Sequence, residues 1–312
     1  MFDNEVIEWL LKGDISIQYQ VYRDLLKIDK PGLKERISTE GWGKEFLSYR
    51  KTNGHWGLKF YQPKWTSTHY TLLDLKNLSI SNQQKEIRLT IRKILNENKA
   101  PDGGINLTES ISKSDVCING MFLNYASYFE TNENDLKSIV DNILSLQMTD
   151  GGFNCRLNRT GASHSSLHST LSVLEGIQEY TVKGYSYRIS ELKKSGNESR
   201  EFILQHHLFK SDHTNKIIDP KMLRLSYPCR WRYDILRALD HFQLAGIEYD
   251  PRMNDALEIL IQKQRPDKKW PIQAKHPGQT HFDMELPGTA SRWNTLRSLR
   301  VLNHFDWLSN IK

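Results

Sequence analysis

The chain is poor in cysteine, with three among 312 residues, at positions 117, 155 and 229. An odd number without regular spacing is not a disulfide framework, and it reads as a protein kept in a reducing compartment. No apolar run approaches the roughly 18 residues a membrane span requires. The opening MFDNEVIEWLLKGD carries acids within its short apolar pattern and so does not read as a secretory leader. The expectation is a cytoplasmic protein with no membrane span. Long basic runs are absent too: 43 Lys and Arg are interspersed with 37 Asp and Glu, so the net charge of +6 reads as solvated surface and no nucleic-acid partner is expected.

Aromatic residues, by contrast, are plentiful: 8 Trp, 13 Tyr and 11 Phe supply large rings for a core or a pocket wall. Three glycine-bearing turns, NGHWG at 53–57, PDGGIN at 101–106 and TDGGFN at 149–154, recur just under fifty residues apart, and PDKKWP at 266–271 has the same shape without glycine. Before these turns lie helical stretches charged on one face, such as NQQKEIRLTIRKILNE, ENDLKSIVDNILSLQ and RMNDALEILIQKQ. After them come more apolar helices: 65–78, 114–129, 164–180, 230–242 and 292–305, with 14–26 as a sixth.

An exposed helix followed by a buried one, repeated about six times, predicts an all-α chain. Aromatics near both ends (Trp9, Phe305, Trp307) sit where an open solenoid needs polar caps. The expected architecture is therefore an α/α toroid, about six inner and six outer helices closed around a central cavity. It forms a single domain over 1–312, with an enlarged connection at about 181–229.

Inner helices that all run the same way gather their N-termini at one mouth, where dipoles and free N–H groups favour anions. The polar residues of these helices fall at that end: His69, Asp115, Cys117, His164, His168, Cys229, Arg230, Arg232, Asp234 and Arg292, with mostly apolar turns beyond. A cationic rim over an aromatic bore suits a ligand with a long apolar body and an anionic or reactive head. Asp115 and Cys117 admit two readings. They are a helix cap and a buried thiol, or, joined by His168 from the next inner helix, three zinc ligands that leave a fourth position open.

These residues resemble the terpenoid cyclase and protein prenyltransferase toroids, most specifically the prenyltransferase β subunits. There an Asp-x-Cys pair opens one inner helix and a His opens the next, with a GGF turn between, as in SDVCINGMFLNYASYF, TDGGFN and HSSLHSTLSVLEGI here. DGGFNCRLNRTGASHSSLHSTLSVLEGIQEY, RWRYDILRALDHF and SRWNTLRSLRVL also resemble uncharacterised bacterial proteins with prenyltransferase and squalene oxidase repeats. The resemblance implies zinc at Asp115, Cys117 and His168, with Cys155 or His164 as alternates.

Departures limit the carry-over. Where the β subunits hold diphosphate with Arg and Lys, this chain has Glu109 and Ser112, and the Tyr after the zinc Cys is Ile118. The cyclases' Asp-x-Asp-Asp run is missing, with Asp283 and Glu285 in HFDMEL its nearest approach. The expected function is a zinc-dependent transferase or hydrolase, prenyltransferase-like or cyclase-like, acting on an isoprenoid or lipid-like substrate or transferring a group to a thiol. Arg230 and Arg232 would bind an anionic head, Asp234 would serve as acid or base, and Trp65, His69, Trp231, Arg292 and Trp293 would line the wall. The alternative is a non-catalytic toroid that binds a lipid or peptide at its mouth. The partner either way is a hydrophobic small-molecule or lipid-like ligand, and no protein partner is implied.

Overall fold

A computed structural model describes residues 2–107 and 113–310. Glu109 and Ser112, where the diphosphate ligands of the resembling family would stand, lie outside the described residues. Among the described residues fourteen α-helices follow one another and no strand occurs. They begin with α1 (Asn4–Leu11), α2 (Ile15–Gln20), α3 (Pro31–Arg36), α4 (Gly41–Ser48), α5 (Thr68–Asn77), α6 (Lys85–Glu97) and α7 (Val116–Tyr128). They continue with α8 (Glu133–Ser145), α9 (Leu157–Thr160), α10 (Leu167–Val182), α11 (Ile189–Gln205), α12 (Ile235–Leu244), α13 (Asn254–Gln262) and α14 (Arg292–His304). The chain runs on from α2 in π-helical turns over Val21–Leu26. Among the described residues no helix is long and apolar enough to cross a membrane.

The helices divide between two compact units. One comprises the chain up to Ser48, Asn77–Ser81 and everything from Leu204, and the other Tyr49–Lys76 and Asn82–Ile203. In both, the two predicted helix types are present. Of α7, only Cys117 and Tyr128 are not fully buried, and Ile235–Phe242 of α12 are buried without interruption. The outer helices bury one stripe: Ile87, Thr90, Ile91, Ile94 and Leu95 on α6, Leu136, Ile139, Val140 and Ile143 on α8. That three-and-four spacing is the amphipathic signature that distinguishes a helix packed on one side from one packed all round.

The recurring turns join the two types by the same bonds each time. In the second unit the Trp56, Ile105 and Phe153 amides donate to Thr68 Oγ1 (3.1 Å), Asn119 Oδ1 (2.6 Å) and Thr170 Oγ1 (2.9 Å) in the inner helix that follows. In the first unit Trp270 donates to Thr295 Oγ1 at 2.9 Å, so the glycine-free turn at 266–271 is the same joint. A second bond runs outward: Thr90, Ser138 and Ser199 hydroxyls donate to the Gly54, Gly103 and Gly151 carbonyls, each at 2.8 Å. Those three glycines hold φ of 85°, 85° and 86°, a region where a side chain is strained. Ser199 lies on α11, which occupies 189–205 of the expected enlarged connection and packs as an outer helix in the repeat; the irregular stretch begins after it.

The backbones of α7 and α10 pass close together. A Cβ added at Gly176 would stand 2.3 Å from the Gly120 carbonyl oxygen, and one at Gly120 would stand 2.6 Å from the Val173 Cα. Both obstacles are backbone, which cannot rotate away. Gly176→Ala is expected to lower stability by about 1–3 kcal/mol, whereas Gly196→Ala in α11, where the nearest atom is 3.5 Å away, gains up to about 1 kcal/mol of helix propensity. Urea denaturation of the two variants side by side checks this; a Gly176→Ala midpoint at or above wild type would show that α7 and α10 do not touch there.

Candidate functional site

The sequence-predicted residues fall into two clusters, one in each unit. In the second unit, Asp102 Oδ2 accepts the Ser114 amide (2.6 Å) and hydroxyl (3.0 Å), which fixes the chain where it enters α7. Asp115 occupies the N-cap position, is buried, and makes no side-chain capping bond. Cys117, half-buried in the first turn of α7, is joined to Cys155 by a disulfide with its Cα atoms 6.0 Å apart. The Cys155 sulfur accepts from the Cys117 amide (3.3 Å) and the Ser169 hydroxyl (3.2 Å), and the Cys155 amide donates to Ser169 Oγ at 3.1 Å. His168 is half-buried at the start of α10, and His164 is exposed in the loop before it.

The expectation that the cysteines are unconnected is corrected here. Two residues 38 apart in sequence are paired because successive repeats place the start of α7 beside the turn that leads to α10. The pairing bears on the zinc set as well. A disulfide sulfur lacks the negative charge that binds zinc, and among the described residues no three His, Cys, Asp or Glu side chains are grouped to hold a metal ion. Only a reduced Cys117 would supply the thiolate that the sequence reading calls for.

His69 and Trp65 belong to an aromatic box on the same unit. The His69 ring meets Phe60, Tyr61, Tyr70 and Tyr125 at centroid distances of 5.3, 5.6, 4.9 and 5.6 Å, and Trp65 meets Tyr70 at 4.9 Å. His69 Nδ1 shares a hydrogen bond with Tyr125 Oη (3.2 Å), while its Nε2 is buried without a partner. Burial pushes the His69 pKa down to about 3, so the ring is neutral.

In the first unit, Arg230, Trp231, Arg232 and Asp234 form the approach to α12. Arg230 is buried with a left-handed φ of 55°, and the Arg232 guanidinium lies over the Trp231 ring at 4.9 Å. Asp234 caps α12, accepting the Arg237 amide at 2.8 Å, and its other oxygen faces the Cys229 thiol at 3.4 Å. Burial raises the Asp234 pKa and, with the Asp234 charge, pushes that of Cys229 up to about 12. Arg292 and Trp293 diverge, as neighbours on a helix must. Arg292 turns to α1, 4.5 Å over the Trp9 ring, whereas Trp293 stacks between Tyr227 (4.6 Å) and Trp42 (6.1 Å). Glu285 accepts the Arg292 amide (2.6 Å) and the Ser291 hydroxyl at the start of α14, and its burial raises its pKa.

Beneath this aromatic stack runs a line of buried charges that sequence reasoning missed. Arg297 lies 5.9 Å from the Tyr227 ring centre, donates to Cys229 Sγ (3.4 Å), and pairs with Asp240 at 3.0 Å. Arg300 grips Asp240 with two bonds (2.5 and 2.6 Å) and reaches Asp24 at 2.8 Å, and Asp24 in turn holds Arg23. The expectation of mostly apolar later turns fails for α12 and α14. The signal was present in RWNTLRSLRVL, where arginines interrupt a helix otherwise too apolar to face water.

No family model matches the chain, and no curated protein matches it. Among solved structures it is similar to a polysaccharide lyase (12% identity, 93% of this chain and 87% of the other, TM-score 0.52). It is also similar to a glycosyl hydrolase of family 88 from Bacteroides vulgatus (11%, 96% and 98%, 0.48) and to a type II terpene cyclase from Scytonema in complex with merosterolic acid A (12%, 94% and 87%, 0.45). With its alternating outer and inner helices, the chain is an all-α protein of the α/α-toroid fold.

Proposed function

We propose that this chain is an α/α-toroid enzyme acting on a hydrophobic, isoprenoid or lipid-like substrate, with its chemistry in the first unit. The observation that carries the reading is the Trp42–Trp293–Tyr227 stack with Arg297 5.9 Å from the Tyr227 ring, Arg297 bonded to Cys229, and Cys229 facing the buried carboxyl of Asp234. Aromatic faces offer apolar area and stabilise a passing positive charge. Burial raises the pKa of the Asp234 carboxyl, which favours its protonated form relative to an exposed carboxyl, and Asp234 is assigned as the general acid. Arg230, buried in the segment that leads to α12, is assigned to receive an anionic group of the substrate.

The test is tryptophan fluorescence and product analysis with C15 and C20 isoprenoid alcohols and diphosphates. Trp293→Ala is expected to weaken binding about tenfold. Asp234→Asn, which retains the cap on α12, is expected to keep binding and lose about a hundredfold or more in turnover. Binding without any turnover in the wild type would favour the non-catalytic toroid instead, a reading supported by the engagement of Arg292 and Arg232 with Trp9 and Trp231. No binding of any member of the series would remove both.

A further inference from the structure

The proposed chemistry of the first unit makes no use of the Cys117–Cys155 pair in the second. Three features distinguish this pair from a disulfide buried in a core. Both sulfurs belong to half-buried residues, and Cys117 is one of only two residues of α7 not fully buried, so the bond lies outside the fully packed core. The two sulfurs are not equivalent. Cys155 Sγ accepts both the Cys117 amide (3.3 Å) and the Ser169 hydroxyl (3.2 Å), whereas no donor to Cys117 Sγ is present among the described contacts. The remaining cysteine, Cys229, is buried and lies in the other unit.

We propose that Cys117 and Cys155 form a reversible dithiol–disulfide site, opened by an external dithiol that attacks Cys117. In the first step a thiolate of the dithiol attacks Cys117 Sγ, the Cys117–Cys155 bond breaks, and its electron pair leaves on Cys155. The Cys117 amide and the Ser169 hydroxyl already point at the sulfur on which that charge develops, so departure of Cys155 is the easier direction. In the second step the other thiol of the reagent loses its proton to solvent, attacks its own sulfur in the mixed disulfide and releases Cys117. The dithiol is oxidised to a disulfide, the protein gains two electrons, and both cysteines take up protons as far as the pH requires. Opening the bond removes the covalent link between the first turn of α7 and the segment that carries α9 and leads to α10, leaving the Asn158 side chain of α9 bonded to the Ser114 carbonyl at 3.1 Å.

The test uses the full chain, prepared without reductant. Free thiols are blocked with iodoacetamide, the folded protein is treated with dithiothreitol, newly released thiols are tagged with N-ethylmaleimide, and peptides are read by mass spectrometry. Cys117 and Cys155 are expected to carry the second tag, while Cys229 reacts only after denaturation. A parallel incubation with reduced glutathione, quenched with acid, is expected to place the mixed disulfide on Cys117 about tenfold more often than on Cys155, a preference that Ser169→Ala reduces. Cysteines that carry the first label, or a bond that opens only after unfolding, would overturn the site. Equal or reversed placement of glutathione would overturn the assigned direction. Circular dichroism of Ser169→Ala separates loss of the hydroxyl from loss of fold, and Ser169→Thr, which restores a hydroxyl, is expected to restore the preference.

Discussion

Asp240→Ala is expected to lose about 3–5 kcal/mol of stability. The side chain stands between Arg297 and Arg300, and the exposures of the three side chains are 8%, 7% and 9%. Burial by itself would raise the Asp240 pKa, but the two guanidiniums reverse this and hold it below the usual carboxylate range. Removing the carboxylate leaves Arg297 with Cys229, Tyr227 and the more distant Asp234, and Arg300 with Asp24. Buried guanidinium cannot shed its proton, so the desolvation cost stays uncompensated. A triple variant, Asp240→Leu with Arg297→Met and Arg300→Met, removes the charges together and is expected to lose much less than the single substitution. The pH dependence has a definite sign. A carboxyl with a depressed folded pKa stabilises fully above its unfolded value near 3.9 and ceases to do so as pH falls through the folded value. Urea denaturation at pH 7 and in the acid range reads both effects, and a single variant within about 1 kcal/mol of wild type would show that the three charges are not buried together.

Acidification is expected to unfold the chain from a second direction, through His69. Burial holds its folded pKa at about 3, against about 6.5 in an unfolded chain, so the unfolded state binds a proton that the folded state refuses. The stability contributed by neutral His69 is complete above pH 6.5 and is lost as pH falls from there toward 3. At about 1.4 kcal/mol per pH unit, the loss by pH 5 is roughly 2 kcal/mol. Nothing near the ring offsets it, because its neighbours are Phe60, Tyr61, Tyr70 and Tyr125. His69→Phe is expected to flatten the decline between pH 6.5 and 5, even if it weakens the fold at pH 7 by removing the bond to Tyr125. His55 is also depressed by burial and contributes in the same direction, so the comparison that matters is variant against wild type. Parallel slopes would mean that the His69 ring reaches water.

What the sequence disclosed follows from which signals are local. Helices buried all round, such as α7 and α12, are nearly continuous in apolar and small residues, and the turns between repeats announce themselves through glycines that must adopt positive φ. The helix α11 was harder to read because ISELKKSGNESREFILQ has Gly196 in its middle and several weak helix formers, and its place is fixed by the Ser199 bond to Gly151 instead. The candidate site was legible by residue type and less so by direction. Arg292 and Trp293 were expected on one wall, yet a helix sends neighbours apart, and Arg292 ends over Trp9. The charges at Asp24, Asp240, Arg297 and Arg300 were not recognised, since their partners are separated by 57 residues or more and only packing brings them together. Likewise the union of Cys117 with Cys155 depends on the juxtaposition of two repeats, which spacing alone cannot specify.

The hydroxyl bonds that fasten each turn to its outer helix also set how the second unit can assemble. Thr90 reaches Gly54 across 36 positions, Ser138 reaches Gly103 across 35, and Ser199 reaches Gly151 across 48. Such closures need only modest loops, so the loss of chain freedom at each step is small and is repeated in three similar increments. Assembly can therefore start at any of the three and spread to its neighbour. The second unit is therefore expected to fold quickly for its size, with a speed set by contacts between neighbouring repeats and not by the depth of its native well.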